Sequence, residues 1–306
     1  QGRTIDTYGN ADVMALAKVF TGWSWAFPDN ELTVRNFRWG SPNYTSAGDK
    51  RIDLRPMKPY PGLQSTAAKT LFAGKSWVAT IPEGTGATQS LDLALDALFR
   101  HPNVGPFIGR QLIQHLVTSH PSPAYVARVA AVFADNGKGV RGDLGAVVRA
   151  VLLDSEARDQ SAEDFGKLRE PVQRIAQWMR AFEARSSSGE YLMSGEGSQL
   201  QQRVFASPSV FGYFRPGYVP PNTVFAAQRQ TVPEFQLVSE ATTTQWINFA
   251  QQMTVTGIGW TGGAYDVSSD YARLTTMFGA SDLDGALTEL DELLYGGDMP
   301  WTVRAD

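Results

Sequence analysis

The sequence predicts a mainly α protein: a multi-helix, bundle-like domain with long ordered loops rich in proline, glycine and aromatic residues, and at most a small β hairpin. Apolar residues recur three and four positions apart in several long segments, which is the pattern of a helix with one buried face. Residues 32–39 alternate weakly, as a strand does, and residues 71–81 are a second short extended candidate. We expect all 306 residues to form one domain, cut from a longer protein because the chain opens without methionine.

The first two helices are predicted on either side of a long aromatic segment. Asn10 can cap a helix that ends near Phe20, and Thr88 can cap the second helix. The residues expected to face inward are Val13, Leu16, Ala17 and Phe20 in the first helix, and Leu91, Leu95, Leu98 and Phe99 in the second. Residues 23–61, the aromatic arm, are rich in turn formers, and so long a loop is usually functional or ordered by packing.

Three short helices with short connectors are predicted over residues 101–154. Ser122 can cap the second of these helices, and Asp143 can cap the third. The run GKGVRG at residues 137–142 has the letters of a dinucleotide-binding loop. That loop requires a preceding strand, whereas a predicted helix ends here, so we interpret the run as a helix-to-helix turn.

The segments predicted after this block are a helix over residues 170–185, a flexible connector over 186–197, a Pro-rich loop over 205–231, a helix from Thr231 to about Met253, a loop over 257–263 and a last helix over 282–294. The connector is expected to be mobile because it consists largely of serine and glycine. The helix from Thr231 depends on a capping box, in which the side chains of Thr231 and Glu234 bond each other's backbone N–H groups.

Composition excludes several classes of site. The net charge is −4, lysine is scarce and arginine is dispersed, which argues against nucleic-acid binding. Cysteine is absent, so disulfides, thiolate catalysis and cysteine metal sites are excluded. No apolar run approaches the ~20 residues that span a bilayer, so we expect no transmembrane segment.

The histidines do not form a recognisable metal or catalytic motif. His101, His115 and His120 lack the HExxH spacing, and the last two would lie about 140° apart around a helix. We therefore predict no metal site and no cofactor. No GxSxG motif is present, but a Ser–His–Asp site assembled from distant residues remains open because such sites are defined by geometry.

Two carboxylates are the charged residues of greatest interest. Glu234 is explained as the third residue of the capping box, and Glu240 has apolar neighbours that indicate a partly buried acid. The expected ion-pair partner of Glu240 is Arg215, Arg169 or Arg110. We interpret the pair as structural, pinning the Pro-rich loop to the core. The alternative is a catalytic or ligand-binding carboxylate, with Arg215 and His115 as further weak candidates.

The aromatic arm is the best candidate for a binding surface. Its aromatic residues can stack on sugar rings while nearby polar groups bind hydroxyls; they include Trp23, Trp25, Trp39, Tyr44 and Tyr60. The alternative is that these rings fold onto the helices as core, since aromatic side chains dominate buried area.

Four runs of sequence resemble a known family. They are FTGW at residues 20–23, the block at residues 101–154, SPSVFGYFRPGYVPP at residues 207–221, and VPEFQ at residues 232–236 followed by Glu240 and Thr242. In this order, over about residues 11–294, they resemble the large bacterial family known as domain of unknown function 1800. Members of that family are longer at the N-terminus, so the chain resembles its C-terminal half to two thirds.

The resemblance implies an exported protein, periplasmic or extracellular, whose leader lies in a part that precedes this chain. It also implies a partner, since members are often encoded beside an uncharacterised protein related to sulfatases. The family has no agreed activity, so the resemblance implies no reaction.

We therefore expect a non-catalytic extracytoplasmic module that binds a partner protein or a surface glycan, because no catalytic motif accompanies the two long aromatic loops. One alternative is a polysaccharide-directed hydrolase or lyase that uses Glu240, Arg215 and a histidine, and another is an inactive proteolytic fragment. An open cleft with a carboxylate within hydrogen-bond reach of His115 would favour the enzyme. A closed pair of Glu240 and Arg215 under a loop would favour the scaffold.

Overall fold

The computed structural model describes residues 6–27, 54–159, 161, 165–191, 200–203, 205–261 and 263–305. The described residues fold mainly into helices, with three small antiparallel sheets of two, two and three strands. The mainly α prediction is confirmed, and the sheets exceed the one small hairpin expected. The chain divides into two compact units, Gln1–Phe107 and Ile108–Asp306. That the units belong to one domain stays a prediction.

The elements of the first unit are α1 (Asn10–Val19), β1 (Trp23–Ser24), β2 (Lys58–Pro59), a 3-10 turn (Pro61–Leu63), β3 (Lys69–Leu71), β4 (Ala79–Ile81) and α2 (Ala87–Arg100). Strand β1 pairs with β2 and β3 with β4. The helix caps are Gly9 and Gly86 rather than Asn10 and Thr88. The Asp12 carboxylate accepts the Gly9 N–H at 2.7 Å, which fixes the start of α1 from inside the first turn.

Small side chains form much of the core of the first unit. The buried cluster comprises Ala15, Val19, Leu71, Phe72, Ile81, Ala94 and Ala97. By contrast, Val13 in α1, Phe20 at its C-terminal cap, and Leu95 and Phe99 in α2 are about half exposed. The predicted inward faces were wrong at these positions because the periodicity favoured large apolar side chains, whereas the helices approach through alanine.

Helix α3 (Val104–Leu116) precedes the remaining elements, which are α4 (Pro123–Ala134), α5 (Leu144–Leu153), α6 (Ser155–Arg158), α7 (Pro171–Ala181), β5 (Arg185–Ser186), α8 (Val224–Gln228), a 3-10 helix (Pro233–Leu237), α9 (Glu240–Val255), β6 (Ile258–Thr261), β7 (Ala264–Ser268), α10 (Ala272–Gly279), α11 (Leu283–Leu290), a π-helical turn (Asp291–Tyr295) and α12 (Trp301–Ala305). In the described part of the chain, every helix is too short or too polar to span a lipid bilayer.

Helices α4 and α5 begin at the predicted caps. Ser122 accepts a hydrogen bond from Tyr125 N at 3.1 Å, and Asp143 accepts one from Ala146 N at 3.0 Å. The buried Tyr125 hydroxyl donates to the Val151 carbonyl and so ties α4 to α5. Burial raises the pKa of Tyr125 to about 12, which keeps this donor protonated.

The glycine run between α4 and α5 forms the predicted helix-to-helix turn. Gly137 and Gly139 have φ angles of +84° and +76°, which favour glycine. Their backbone N–H groups both donate to Asp135 Oδ1. The Asp135 carboxylate therefore binds the backbone of the turn, as expected for a connector between two helices.

A second core joins α7, α9, α10, α11 and the sheet of order β5–β7–β6. Its buried members are Ile175, Trp178, Phe182, Leu200, Phe249, Met253, Ile258, Val267, Leu274 and Ala286. The loop predicted over residues 257–263 was wrong, because β6 begins at Ile258 and pairs there with Val267 of β7. Its glycines indicated a loop, but Gly257 lies beside β7, where a Cβ would come within 2.3 Å of the Val267 carbonyl oxygen.

The connector predicted over residues 186–197 is ordered at its start. The hydroxyls of Ser186, Ser187 and Ser188 all donate to the Asp266 carboxylate, and β5 pairs with β7. The prediction of flexibility was wrong here because the acceptor lies far along the chain. Residues 192–197 lie outside the described residues, as does the predicted strand at residues 32–39.

Helix α9 begins later than predicted. Thr231 donates its hydroxyl to the Ser119 carbonyl at 3.0 Å, so it does not form the expected capping box. The cap is Ser239, whose hydroxyl accepts from Thr242 N at 3.2 Å. The predicted box was wrong because a long-range bond took the threonine hydroxyl.

Candidate functional site

Three segments of the second unit meet around a buried carboxylate. They are residues 117–122 after α3, residues 165–170 before α7, and residues 231–237. Glu234 exposes only 1% of its surface. Its Oε2 accepts a hydrogen bond from Ser119 Oγ at 2.8 Å, and its Oε1 lies 3.4 Å from Lys167 Nζ. Because a buried carboxylate is costly without partners, these two contacts hold the 3-10 helix in place.

Lys167 connects the carboxylate to the end of α3. Its Nζ donates to the carbonyls of Gln114 at 3.2 Å and His115 at 3.1 Å, in the last turn of that helix. It also lies 3.7 Å from Glu170 Oε1. A cation at this position satisfies carbonyls that have no partner within the helix and interacts favourably with the helix dipole.

The network continues through Glu170 at the start of α7. Gln202 donates its amide N–H to Glu170 Oε2 and accepts the Val172 N–H at 3.0 Å. Both Glu170 and Gln202 are buried. One lysine and two glutamates therefore share the site, and neutral amides and hydroxyls complete their bonding.

Neutral hydrogen bonds hold the Pro-rich loop against the end of α3. Gln114 Nε2 donates to the carbonyls of Ser119 at 3.0 Å and Pro216 at 2.9 Å. The Thr231 hydroxyl donates to the same Ser119 carbonyl. Amide and hydroxyl groups therefore hold the loop here, and the expected ion pair of Glu240 is not among these contacts.

His120 has a defined tautomer. Its Nδ1 accepts the backbone N–H of Thr231 at 3.0 Å. Because a backbone N–H can only donate, Nδ1 carries no proton and the neutral ring holds its proton on Nε2. No group among the described residues bonds Nε2, so this N–H is available to a ligand.

A cavity of about 590 Å³ adjoins this network. Aromatic rings of Phe165, Phe225 and Phe235 contribute to its walls, and His120, Gln228 and Gln230 supply polar groups. The rings of Phe225 and Phe235 lie 5.2 Å apart between centroids. Cavities of this size, with aromatic walls and a few polar groups, are typical of small-ligand sites.

Two polar side chains at the cavity, His120 and Ser119, are already engaged in hydrogen bonds within the protein. His120 presents an N–H, so in its neutral form it donates a hydrogen bond and cannot accept a proton from a nucleophile. Ser119 is buried, and its hydroxyl is bonded to Glu234. Among the described residues there is no group of three or more histidine, aspartate and glutamate side chains that could hold a metal ion.

The sequence-predicted charged residues lie apart from the cavity. Glu240 is exposed at the first position of α9, and no described residue forms an ion pair with it. Arg215 is also exposed, and its backbone N–H donates to Gln236 Oε1 at 2.9 Å. The expected burial of Glu240 was wrong because the chain turns at Ser239, which leaves the start of the helix in solvent. Arg110 is half-buried on α3.

The predicted catalytic histidine has no acidic partner in the described structure. His115 is exposed at the end of α3, and its ring packs on Phe214 at 5.6 Å between centroids. No described carboxylate bonds it. Neither the cleft expected for the enzyme nor the closed Glu240–Arg215 pair expected for the scaffold is found in the described part of the chain.

The aromatic arm is partly core. Tyr60 is buried, and its hydroxyl donates to the Trp25 carbonyl at 2.6 Å and accepts the Phe27 N–H at 3.3 Å. Trp23 is half-buried and Trp25 is partly exposed. Trp39 and Tyr44 lie outside the described residues. The described rings therefore follow the packing alternative more closely than the sugar-stacking one.

Sequence reasoning missed most of the network. Lys167, Ser119 and Thr231 stand far apart in the sequence, and each is of a type that usually lies on the surface. One usable signal is the run Thr118-Ser119-His120, which is polar throughout at the end of a predicted helix. Its carbonyls and hydroxyls need partners that the helix does not supply.

Fold and site together define a mainly α protein with a ligand-sized cavity beside a buried polar network. The chain belongs to the family of proteins of unknown function DUF1800, which matches residues 2–305. This match exceeds residues 11–294 and covers essentially the whole chain, so the narrower likeness to a C-terminal half to two thirds is not confirmed. No curated protein and no solved structure matches the chain.

Proposed function

We propose that the protein is a non-catalytic binding module and that the cavity beside His120 holds a sugar unit of a surface glycan. The observation that carries the proposal is the Thr231 N–H bond to His120 Nδ1, which leaves the ring with a donor at Nε2. Sugar hydroxyls accept such bonds. A general base would need the opposite tautomer.

The walls of the cavity support a neutral polar ligand. Three phenylalanines provide apolar surface for the faces of a sugar ring, and the side-chain amide of Gln228 can both donate and accept. The cation at the cavity, Lys167, is already bonded to two carbonyls and paired with Glu234. A strongly anionic ligand would have to compete with those partners.

The proposal places the protein outside the cytoplasm, in the periplasm or the extracellular space. Support comes from the resemblance to exported proteins and from the abundance of glycans at the cell surface. A partner protein is the other occupant that the sequence favours, and the described cavity is small for a protein segment.

Glycan-array screening followed by isothermal titration tests the proposal. We expect His120→Phe, which keeps a ring but removes the donor, to weaken binding by about tenfold, the effect of one lost hydrogen bond. Gln228→Ala should also weaken it. His115→Phe is the matched control, because His115 is exposed and lies outside this cavity.

Three outcomes would contradict the proposal. The first is that wild-type protein binds no glycan on the array, and the second is that His120→Phe and His115→Phe lower affinity equally. The third is that the wild type releases reducing ends from the bound glycan. His120→Phe also removes the acceptor of the Thr231 N–H, which could destabilise the fold. The melting temperature of each variant therefore shows whether weaker binding reflects a lost ligand contact or a loss of folded protein. His120→Asn offers an alternative acceptor for that N–H.

A further inference from the structure

An exposed apolar turn lies within the Pro-rich loop. Phe205, Val210 and Phe211 expose 104%, 95% and 68% of their surface. Single exposed apolar residues are ordinary on a protein, but three within one turn of residues 205–213 form a concentrated apolar tip. Leaving a phenylalanine in water forgoes about 2 kcal/mol of burial, so the tip is costly unless something covers it.

The turn is held in shape by its own hydrogen bonds. The Tyr213 hydroxyl accepts the Ala206 N–H at 3.2 Å and donates to the Arg203 carbonyl. Gly212 N donates to the Ser209 carbonyl at 3.1 Å. The apolar side chains are therefore presented by an ordered turn that keeps them from folding back.

Phe205 also adopts an unfavourable backbone conformation. Its φ of +57° lies in the left-handed region, which is uncommon for a bulky aromatic residue. Strain of this kind tends to occur where a segment has a role in binding. Here it accompanies a fully exposed side chain, against which no described residue packs to compensate for the strain.

The charge around the turn is uniformly positive. Residues 200–233 contain Arg203, Arg215 and Arg229 and no aspartate or glutamate, in a chain whose net charge is −4. Arg203 and Arg215 stand on either side of the turn and are both exposed. A surface that suits this segment is negatively charged at its boundary and apolar beneath it.

We propose that the turn at residues 205–213 docks on an anionic membrane surface, with its apolar side chains in the interfacial region and Arg203 and Arg215 against lipid headgroups. Apolar side chains that project from a turn need a surface that yields around them, and the boundary of a bilayer does so. Arginines near that boundary gain from the negative surface potential. This mode needs no membrane-spanning helix and is independent of the ligand in the cavity.

Vesicle flotation tests the proposal with phosphatidylcholine vesicles and with vesicles that also contain phosphatidylglycerol. Wild-type protein should float with the anionic vesicles and much less with the neutral ones, and added salt should weaken the association. The double variant Val210→Ser/Phe211→Ser should bind at least about tenfold more weakly, since each buried side chain contributes on that scale. Arg203→Glu/Arg215→Glu should abolish the preference for anionic lipid.

The matched control is Val255→Ser/Phe278→Ser, which removes one exposed valine and one exposed phenylalanine elsewhere. It should bind vesicles as the wild type does. Failure of the wild type to bind, equal binding to both vesicles, or unchanged binding by the turn variants would overturn the proposal. Sedimentation velocity without lipid supplies a further test: self-association that the turn variants abolish would show that a second copy covers the turn, which also overturns it.

Discussion

Glu234 and Glu240 stand six residues apart and occupy opposite environments. Glu234 is buried against Ser119 and Lys167, whereas Glu240 lies in solvent at the start of α9. Their sequence contexts do not separate them, because both adjoin apolar residues. The difference arises from where the chain turns between them, at Ser239, and from a lysine brought in from residue 167.

Removing the buried charge should destabilise the fold. We expect Glu234→Gln to lower the free energy of unfolding by about 2–3 kcal/mol, since Lys167 loses one partner while Ser119 keeps an acceptor. Glu240→Gln is the matched control and should change it by less than about 1 kcal/mol. Urea denaturation measures both. Equal losses in the two variants would mean that Glu234 is not the buried anchor.

The elements show which parts of a fold a sequence can predict. Ser122 and Asp143 were correct caps because a cap acts within three residues, so all its information is local. The Thr231 box failed because Ser119, more than a hundred positions earlier, binds the same hydroxyl. The prediction of which faces of α1 and α2 point inward failed at several positions. The two helices pack through alanine, and this packing depends on the neighbouring hairpin of β3 and β4.

The missed hairpin depends on one close approach of two backbones. Gly257 has a φ of +92°, and a Cβ there would lie 2.3 Å from the Val267 carbonyl oxygen. Gly263 has the same φ of +92°, and no atom of the described residues lies within 4 Å of a Cβ built there. We expect Gly263→Ala to cost about 1 kcal/mol from backbone strain, and Gly257→Ala at least about 2 kcal/mol more from the clash. Thermal melting compares the pair, and equal shifts would show that β7 does not constrain Gly257.

The serine cluster on Asp266 makes this sheet sensitive to acid. Hydrogen bonds from Ser186, Ser187 and Ser188 hold the pKa of Asp266 well below its usual range. Because the folded-state pKa is lower than the unfolded value of about 3.9, the bonds stabilise the fold above that pH, and the stabilisation is lost as pH falls through the folded value.

Asp266→Asn should therefore melt at a lower temperature than the wild type at neutral pH. The difference in melting temperature between the two proteins should become smaller below about pH 4. Asp298→Asn, an exposed aspartate, is the control and should show no comparable narrowing. A gap for Asp266→Asn that stays constant from neutral to acidic pH would show that the serines do not select the ionised carboxylate.

At the scale of the whole molecule, composition and periodicity predicted the mainly α class correctly but placed the candidate site elsewhere. The network around Glu234 joins segments that lie about 45 to 120 positions apart, and polar residues carry no periodic signal that would pair them. The aromatic arm was predicted as a binding surface because of its unusual composition, although Tyr60 and Phe27 are buried core residues. The cavity arises from three connecting segments, none of which predicts it alone.

The position of one proton tests the account most directly. A long-range ¹H–¹⁵N NMR spectrum at neutral pH, assigned with a His120→Asn variant, identifies which ring nitrogen of His120 is protonated. We expect the proton on Nε2, because Nδ1 accepts the Thr231 N–H. A proton on Nδ1 would leave Nε2 as a base and contradict the assignment of this cavity to binding.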